Sequence, residues 1–459
     1  MDTYEKNPTI SAAELTHRFC SLSVYRNLLE DKVISSLYSL VQSLQEGAPG
    51  FAAFLNRYSS FFHTLISTSD ASLREYLIEK ILYTENPFAE AIEKGSDHRL
   101  FGSIEAAAAH DLGNLNTISG ISSVQIKALA KELFTSVDRN LTETIEALPT
   151  WDLDLPRNST ANGSGNFEAV KNAFAATDMW SDLTALLKEF HAAYGSGIFS
   201  QYSAFLWERQ GDAGFLRGVP APDPVLLSDL IGYEEERKAV IDNTLHFLDG
   251  FKANNVLLYG DRGSGKSSTV KGLLNEYHQR GLRLIEVPKS FLVDFPRVTA
   301  LLRHKKQKFI IFVDDLAFED NEENYTALKA ILEGGVESKP DNVLIYATSN
   351  RRHLVKEKFS DRAGLHSGNA EDEIRASDSI QEKLSLADRF GITVVFSSPD
   401  KKRYLQIVEG LVAQRGLDID KEKLHREALK WELWYNGRSP RTARQFVDWL
   451  EGEMGVQEP

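Results

Sequence analysis

The chain has 459 residues, with 66 Asp and Glu against 52 Lys and Arg, a formal net charge of -14, and 42% hydrophobic residues. That length leaves room for about three domains with real cores. The acidic balance excludes a protein whose whole surface coats nucleic acid, though not a local basic patch. The single cysteine, Cys20, excludes an intrachain disulfide and a Cys-based zinc site, and is expected to be a small buried apolar residue.

The start of the chain, MDTYEKNPTISAAE, has neither a basic nor an apolar leader region, so no signal peptide is expected and cytoplasm is the default compartment. Apolar runs such as Phe309–Val313 are too short to span a bilayer, so no integral membrane segment is expected. Residues 1–151 read as helices. Leu29, Val33, Leu37, Leu40, Val41 and Leu44 recur at steps of three and four. So do Leu73, Leu77 and Ile81, and Ile126, Leu129, Ala130 and Leu133. Ala106–Ala109 adds a strong helix former. His110-Asp111 is expected to be a structural pair rather than a catalytic one. This part reads as a helical interaction domain for a protein or nucleic-acid client.

Residues 152–166 are rich in Pro, Asn, Ser, Thr and Gly and read as a linker or exposed loop. Residues 167–225 read as an aromatic-rich helical connector. Its Phe167, Phe174, Trp180, Phe190, Phe199, Tyr202, Phe205 and Trp207 are expected to be core. The Pro-rich run Val219–Pro224 is stiff and marks the entry to the next domain.

Residues 226–398 alternate short apolar runs with helical patterns. The runs are Val256–Tyr259, Leu284–Val287, Phe309–Val313, Val343–Ala347 and Ile392–Phe396. Their lack of alternation predicts parallel strands covered on both faces. The expected fold class is α/β, a parallel sheet with ligand chemistry at the carboxyl ends of its strands. Residues 399–459 predict three helices, a small lid.

After the first of these strands comes Gly260-Asp261-Arg262-Gly263-Ser264-Gly265-Lys266-Ser267, followed by Ser268: the spacing G-x-x-x-x-G-K-[ST] of a phosphate-binding P-loop. Its glycines let the backbone aim N–H groups at phosphate oxygens. Lys266 adds a point charge, Ser267 offers a hydroxyl to Mg²⁺, and the following helix directs its positive end at the anion. Phe309–Val313 ends in Asp314 and Asp315, the Walker B pattern. Asp314 is placed for the metal and Asp315 for a base or water-positioning carboxylate, with Glu319 a possible substitute. Asn350, at the end of a strand, is placed to sense the γ-phosphate or the attacking water. Arg389 precedes the last strand, where it can act as an arginine finger on a neighbouring subunit. Arg441 opens the last helix and can swing onto its own subunit's nucleotide, with Arg438 and Arg444 as rivals. Ile231 and Gly232 can supply an apolar wall for adenine.

In this order the elements resemble an AAA+ ATPase over about Leu226 to Met454. GDRGSGKSS, FVDDLAFE, LKAILEGG and YATSNRRHL look like a bacterial AAA+ family catalogued as domain of unknown function 815. The resemblance implies ATP and Mg²⁺ as ligands and a homo-oligomer joined through Arg389. It does not name a client. Threading unfoldases carry an aromatic-hydrophobic-Gly loop after the second strand. Here Pro288–Asp294 has no glycine, which disfavours threading, with Phe291 left for a variant loop.

The leading expectation is an ATP-hydrolysing remodeller or loader. A nucleotide-gated switch with little turnover is the alternative, favoured by the short Asp315. Nucleic-acid remodelling through the basic islands His304–Lys308 and Arg351–Lys358 is a third, and a small-molecule kinase a weak fourth.

Overall fold

The computed structural model describes residues 10–45, 50–68, 72–94, 100–134, 141–152, 165–303, 305–316, 322–333, 339–350, 389–435 and 437–456. The chain divides into two compact units, Met1–Gln201 and Tyr202–Pro459. The connector expected over 167–225 therefore parts at Gln201, and most of the expected linker 152–166 lies outside the described residues.

The first unit is helical among the described residues. Its helices are α1 (Ala12–Cys20), α2 (Lys32–Gln42), α3 (Phe51–Thr68), α4 (Leu73–Tyr83), α5 (Pro87–Lys94), α6 (Phe101–Ser119), α7 (Ser123–Phe134), α8 (Leu141–Glu146), α9 (Gly165–Ala176), α10 (Thr184–Tyr194) and α11 (Ile198–Gln201). Several starts are legible as caps. Asp31 accepts the N–H groups of Val33 and Ile34 at α2, and Ser72 and Glu75 form a reciprocal box at α4. One core joins Phe19, Leu37, Phe54, Tyr58, Phe61, Leu77, Leu115 and Trp180.

Asp111 is fully buried on α6. Its Oδ2 accepts the N–H groups of Ser23, Val24 and Tyr25 at 2.8, 2.7 and 3.0 Å, while His110 Nδ1 stands 3.3 Å from Oδ1. Three backbone donors on one carboxylate make it a structural keystone, as expected for a buried charge. Cys20 departs from expectation. It is exposed, with Sγ 3.1 Å from Tyr38 Oη, because the buried side of α1 is taken by Leu15, Thr16 and Phe19.

The second unit holds one seven-stranded sheet in the order β2-β1-β4-β5-β6-β3-β7. The strands are β1 (Ala204–Gln210), β2 (Ala213–Gly218), β3 (Val256–Gly260), β4 (Leu282–Glu286), β5 (Lys308–Val313), β6 (Val343–Ser349) and β7 (Ile392–Phe396). Helices α12 (Glu234–Leu248), α13 (Lys266–Tyr277), α14 (Phe295–Leu302) and α15 (Glu322–Glu333) accompany the sheet. Then α16 (Lys401–Gln414), α17 (Lys421–Trp434) and α18 (Pro440–Val456) form the helical lid. All five expected strands are present and mutually parallel. One face packs Val256, Leu258, Ile310, Phe312, Leu344 and Phe396 with Val270, Leu273 and the lid's Tyr404, Val408 and Phe446. Their alternating partners Leu257, Ile311, Val313 and Ile345 are equally buried, so both faces are covered.

The helical reading of the end of the connector is corrected. Residues 204–218 form a hairpin whose β1 adds to β4 in parallel and whose β2 runs antiparallel along the edge. Phe205 and Trp207 are buried as expected, but at a strand's two-residue period. Gln210 pairs with Ala213, leaving Gly211-Asp212 as a two-residue turn, with Gly211 at φ +62°. Trp207 Nε1 and the Arg209 guanidinium converge on the buried Asp294, tying the hairpin to the segment after β4. Phe291 lies in that segment under the Arg209 guanidinium, 5.2 Å from it, held rather than presented on a free loop.

Candidate functional site

The carboxyl ends of β3, β5 and β6 lie side by side at one end of the sheet, and the chemistry-bearing residues gather there. Gly260, Gly263 and Gly265 have φ of +141°, +77° and +92°, conformations that side chains resist, so the P-loop needs glycine at all three. A Cβ on Gly260 would lie 2.0 Å from Phe396 O. Helix α13 begins at Lys266, directing its amino end into the loop.

Lys266 is buried. Its Nζ donates to Gly260 O (3.0 Å), Asp261 O (2.8 Å), Ser264 Oγ (3.4 Å) and Asn350 Oδ1 (3.2 Å). Burial pulls its pKa below the ordinary lysine value, opposed by Asp261, Asp314 and Asp315. Ser267 Oγ and Thr348 Oγ1 both donate to Asp314 Oδ1, at 2.6 and 2.5 Å. Asp315 sits at φ +50°, a strained conformation for a non-glycine residue. It is held there by its N–H on Thr348 Oγ1 (2.9 Å) and by Asn350 Nδ2 on its Oδ1 (2.6 Å).

A cleft of ≈ 630 Å³ opens over these groups. Arg262, Gly263, Ser264, Gly265, Lys266, Ser267, Ser268, Asp314, Asp315, Asn350 and Arg441 all line it, a convergence of eleven residues expected from the sequence. Thr348, Leu230, Pro440 and Arg444 also line it. The rivalry among the lid arginines narrows. Arg441 and Arg444 face the cleft, whereas Arg438 pairs with Glu432 at 2.8 Å. Arg441 N–H donates to Gly263 O at 3.1 Å, docking the start of α18 on the P-loop.

Four of the expected site residues face elsewhere, and Gly260 lies beneath the cleft, backbone to backbone with Phe396. Ile231 lines a smaller adjoining recess with Leu230, Ser264, Gly265, Ile407, Leu411, Pro440 and Arg444. Gly232 faces Ile407 of the lid, which a Cβ there would approach to 2.9 Å. Asp261 turns its carboxylate to Ser398. Arg389 is at the opposite end of the sheet. It precedes β7, whose first residue pairs with Val256 while its last pairs with Gly260. A strand's length, roughly 15 Å, therefore separates it from its own P-loop. The possible base Glu319 and the basic island Arg351–Lys358 lie outside the described residues, as does His304 of the other island.

Sequence reasoning missed Arg237. It is 7% exposed on α12 and donates to Leu230 O (2.5 Å) and Gly232 O, pinning the segment that carries Ile231. Burial lowers its pKa, against Glu234 and Glu236. It reads in sequence as one more charge in an exposed Glu-Glu-Glu-Arg-Lys run. Thr348 was also missed, since a strand-end threonine has no signature of its own.

For a metal, the donors fit one hard cation. The Ser267 hydroxyl and the Asp314 carboxylate are two oxygen ligands, and Mg²⁺ takes few protein ligands and keeps places for phosphate and water. Among the described residues no group of three or more His, Cys, Asp or Glu can form an all-protein cage.

A parallel sheet ordered β4-β5-β6-β3-β7, a P-loop after β3, paired acids after β5 and a helical lid define a P-loop ATPase fold of the AAA+ class. The chain belongs to the family described as "Protein of unknown function (DUF815)", whose model matches residues 200–454. No curated protein matches the sequence. Among solved structures, the Thermotoga maritima RuvB Holliday junction branch migration motor is similar at 17% identity and a TM-score of 0.34. The match covers 51% of this chain and 66% of RuvB, just under two thirds of its length. The FIGL-1 AAA domain in complex with ADP is similar at 19% identity and a TM-score of 0.32, with 49% and 72% covered.

Proposed function

We propose that the chain binds Mg²⁺·ATP in the cleft and hydrolyses it to ADP and phosphate. The observation that carries this is the convergence of Lys266, Ser267, Asp314, Asp315, Asn350 and Arg441 on one cleft of nucleotide size. The P-loop amides and Lys266 cradle the phosphates. Leu230, with Ile231 in the recess that adjoins the cleft, forms an apolar wall for the base. Ser267 and Asp314 hold Mg²⁺, which when bound neutralises charge on the phosphate oxygens. Asp315 and Asn350, hydrogen-bonded to each other, orient the attacking water. Arg441 and Arg444 bring the lid onto the nucleotide.

Arg389 lies about a strand's length from its own P-loop, which supports reading it as a finger for the nucleotide of a neighbouring copy. That reading makes the active form a homo-oligomer. Residues 1–151 are the proposed holder of a protein or nucleic-acid client, which lid movement would load or remodel. No helix among the described residues is long and apolar enough to cross a membrane.

One feature favours a second reading, a nucleotide-gated switch with little turnover. Asp315 is short, strained and already engaged by Asn350. The experiment is ATP binding and phosphate release across a protein concentration series, with light scattering. Turnover per subunit that rises with assembly supports the ATPase. Tight ATP binding without phosphate release supports the switch. No Mg²⁺-dependent ATP binding would overturn both.

A further inference from the structure

The lid joins the sheet through residues 397–400, between the end of β7 and the start of α16. Its anchors come from the nucleotide-facing segments. Ser398 N–H and Oγ–H both donate to Asp261 Oδ2, at 2.9 and 2.6 Å. Tyr233, next to Gly232, donates its hydroxyl to Ser397 O at 2.5 Å and stacks on Phe396 with ring centroids 5.3 Å apart. Asp261 N–H in turn donates to Phe396 O at 3.1 Å. The P-loop and the hinge are thus stitched together in both directions, with no room between them for a side chain at Gly260.

Asp261 is the one P-loop position whose carboxylate is turned to the lid linker and whose carbonyl is held by the phosphate-directed Lys266. At the far end of the lid, Arg441 N–H rests on Gly263 O. The lid is therefore fastened to the P-loop at both its entry and its last helix. We infer that Asp261 is a positioning residue. Its double hydrogen bond to Ser398 sets the hinge angle at which Arg441 and Arg444 stand over the cleft, and it passes changes at Lys266 to the lid. The inference rests on the reading of the cleft as an ATP site. A carboxylate suits the task because one of its oxygens accepts two donors, and charge assistance roughly doubles their strength.

The test compares Asp261→Ala, Ser398→Ala, their double variant and Ser398→Thr in the full chain. Readouts are equilibrium ATP affinity, steady-state turnover and amide hydrogen exchange over residues 397–400. Asp261→Ala, which removes both contacts, should lose about tenfold in turnover with ATP affinity kept within about threefold, and Ser398→Ala, which keeps the Ser398 N–H contact, should lose less. The double variant should lose no more than Asp261→Ala alone, since that carboxylate receives both donors. Ser398→Thr, which keeps the hydroxyl, should stay close to the unmodified chain, and exchange at the linker should quicken only in the alanine variants. Losses that multiply in the double variant, or affinity falling in step with turnover, would overturn the inference. So would unchanged exchange in Asp261→Ala. If the unmodified chain binds ATP without turnover, the ATPase reading fails, and the exchange readout still decides the latch.

Discussion

Replacing Arg237 by methionine is a demanding probe of the base-facing wall. Arg237 is 7% exposed, and its guanidinium gives two hydrogen bonds to main-chain carbonyls, Leu230 O and Gly232 O. Methionine refills the stem's volume but has no donor. Hydrogen bonds from a charged donor are worth about 1.5–3 kcal/mol each, and a carbonyl beside the cleft regains part of that from water. The net loss is therefore about 2–3 kcal/mol for the pair. In a unit this size each kcal/mol moves the melting temperature by about 2–4 °C, so a fall of roughly 4–12 °C is expected. The freed segment must then be ordered when the base binds, which should weaken ATP binding by about tenfold, or about 1.4 kcal/mol. Arg237→Lys should recover little, since one ammonium cannot reproduce the planar fork. The assays are thermal unfolding and titration with a fluorescent ATP analogue. Melting within about 1 °C of the unmodified chain, with unchanged affinity, would show that Arg237 does not hold this wall in place.

Asp314→Asn should remove Mg²⁺-dependent turnover by at least about a hundredfold while metal-free nucleotide binding persists, checked by phosphate release and by binding with and without chelator. Unchanged Mg²⁺ dependence would remove Asp314 from the metal's shell. Asp315→Asn should suppress turnover and leave ATP affinity within about threefold; equal loss of both would assign Asp315 to binding. The first unit should be acid-labile through His191, whose burial lowers its pKa from 6.5 to about 4. The unfolded chain binds that proton below about 6.5 and the folded one only near 4. Its contribution, about 3 kcal/mol, is thus full above pH 6.5 and lost as pH falls towards 4. Urea unfolding of the full chain, followed by helical signal at several pH values, should show this slope, and His191→Gln should flatten it.

The five strands of the nucleotide fold were readable because strands covered on both faces carry unbroken apolar runs, as Phe309–Val313 does. The P-loop was readable because phosphate binding fixes residue types at fixed spacing. The hairpin over 204–218 was misread because Tyr202, Phe205 and Trp207 extend an aromatic helical series. Its own signals were Gly211-Asp212 between two short runs, and Gly214 and Gly218, where an added Cβ would meet Trp207 at 2.1 Å and Tyr202 at 2.2 Å. Arg237 and Ser398 carry no local pattern, since their roles depend on what folds over them. Asp261 looked like a phosphate-loop residue by position, and only the strand order brings Ser398 beside it.

Mixing two inactive variants tests whether each ATP site is completed by a neighbour's Arg389. Lys266→Ala lacks a working P-loop but keeps its finger; Arg389→Ala keeps its P-loop but lacks the finger. Each alone should have little turnover, and the mixture should hydrolyse ATP well above the sum of the two. A mixture no more active than its parts, beside an active unmodified chain, would contradict that role for Arg389.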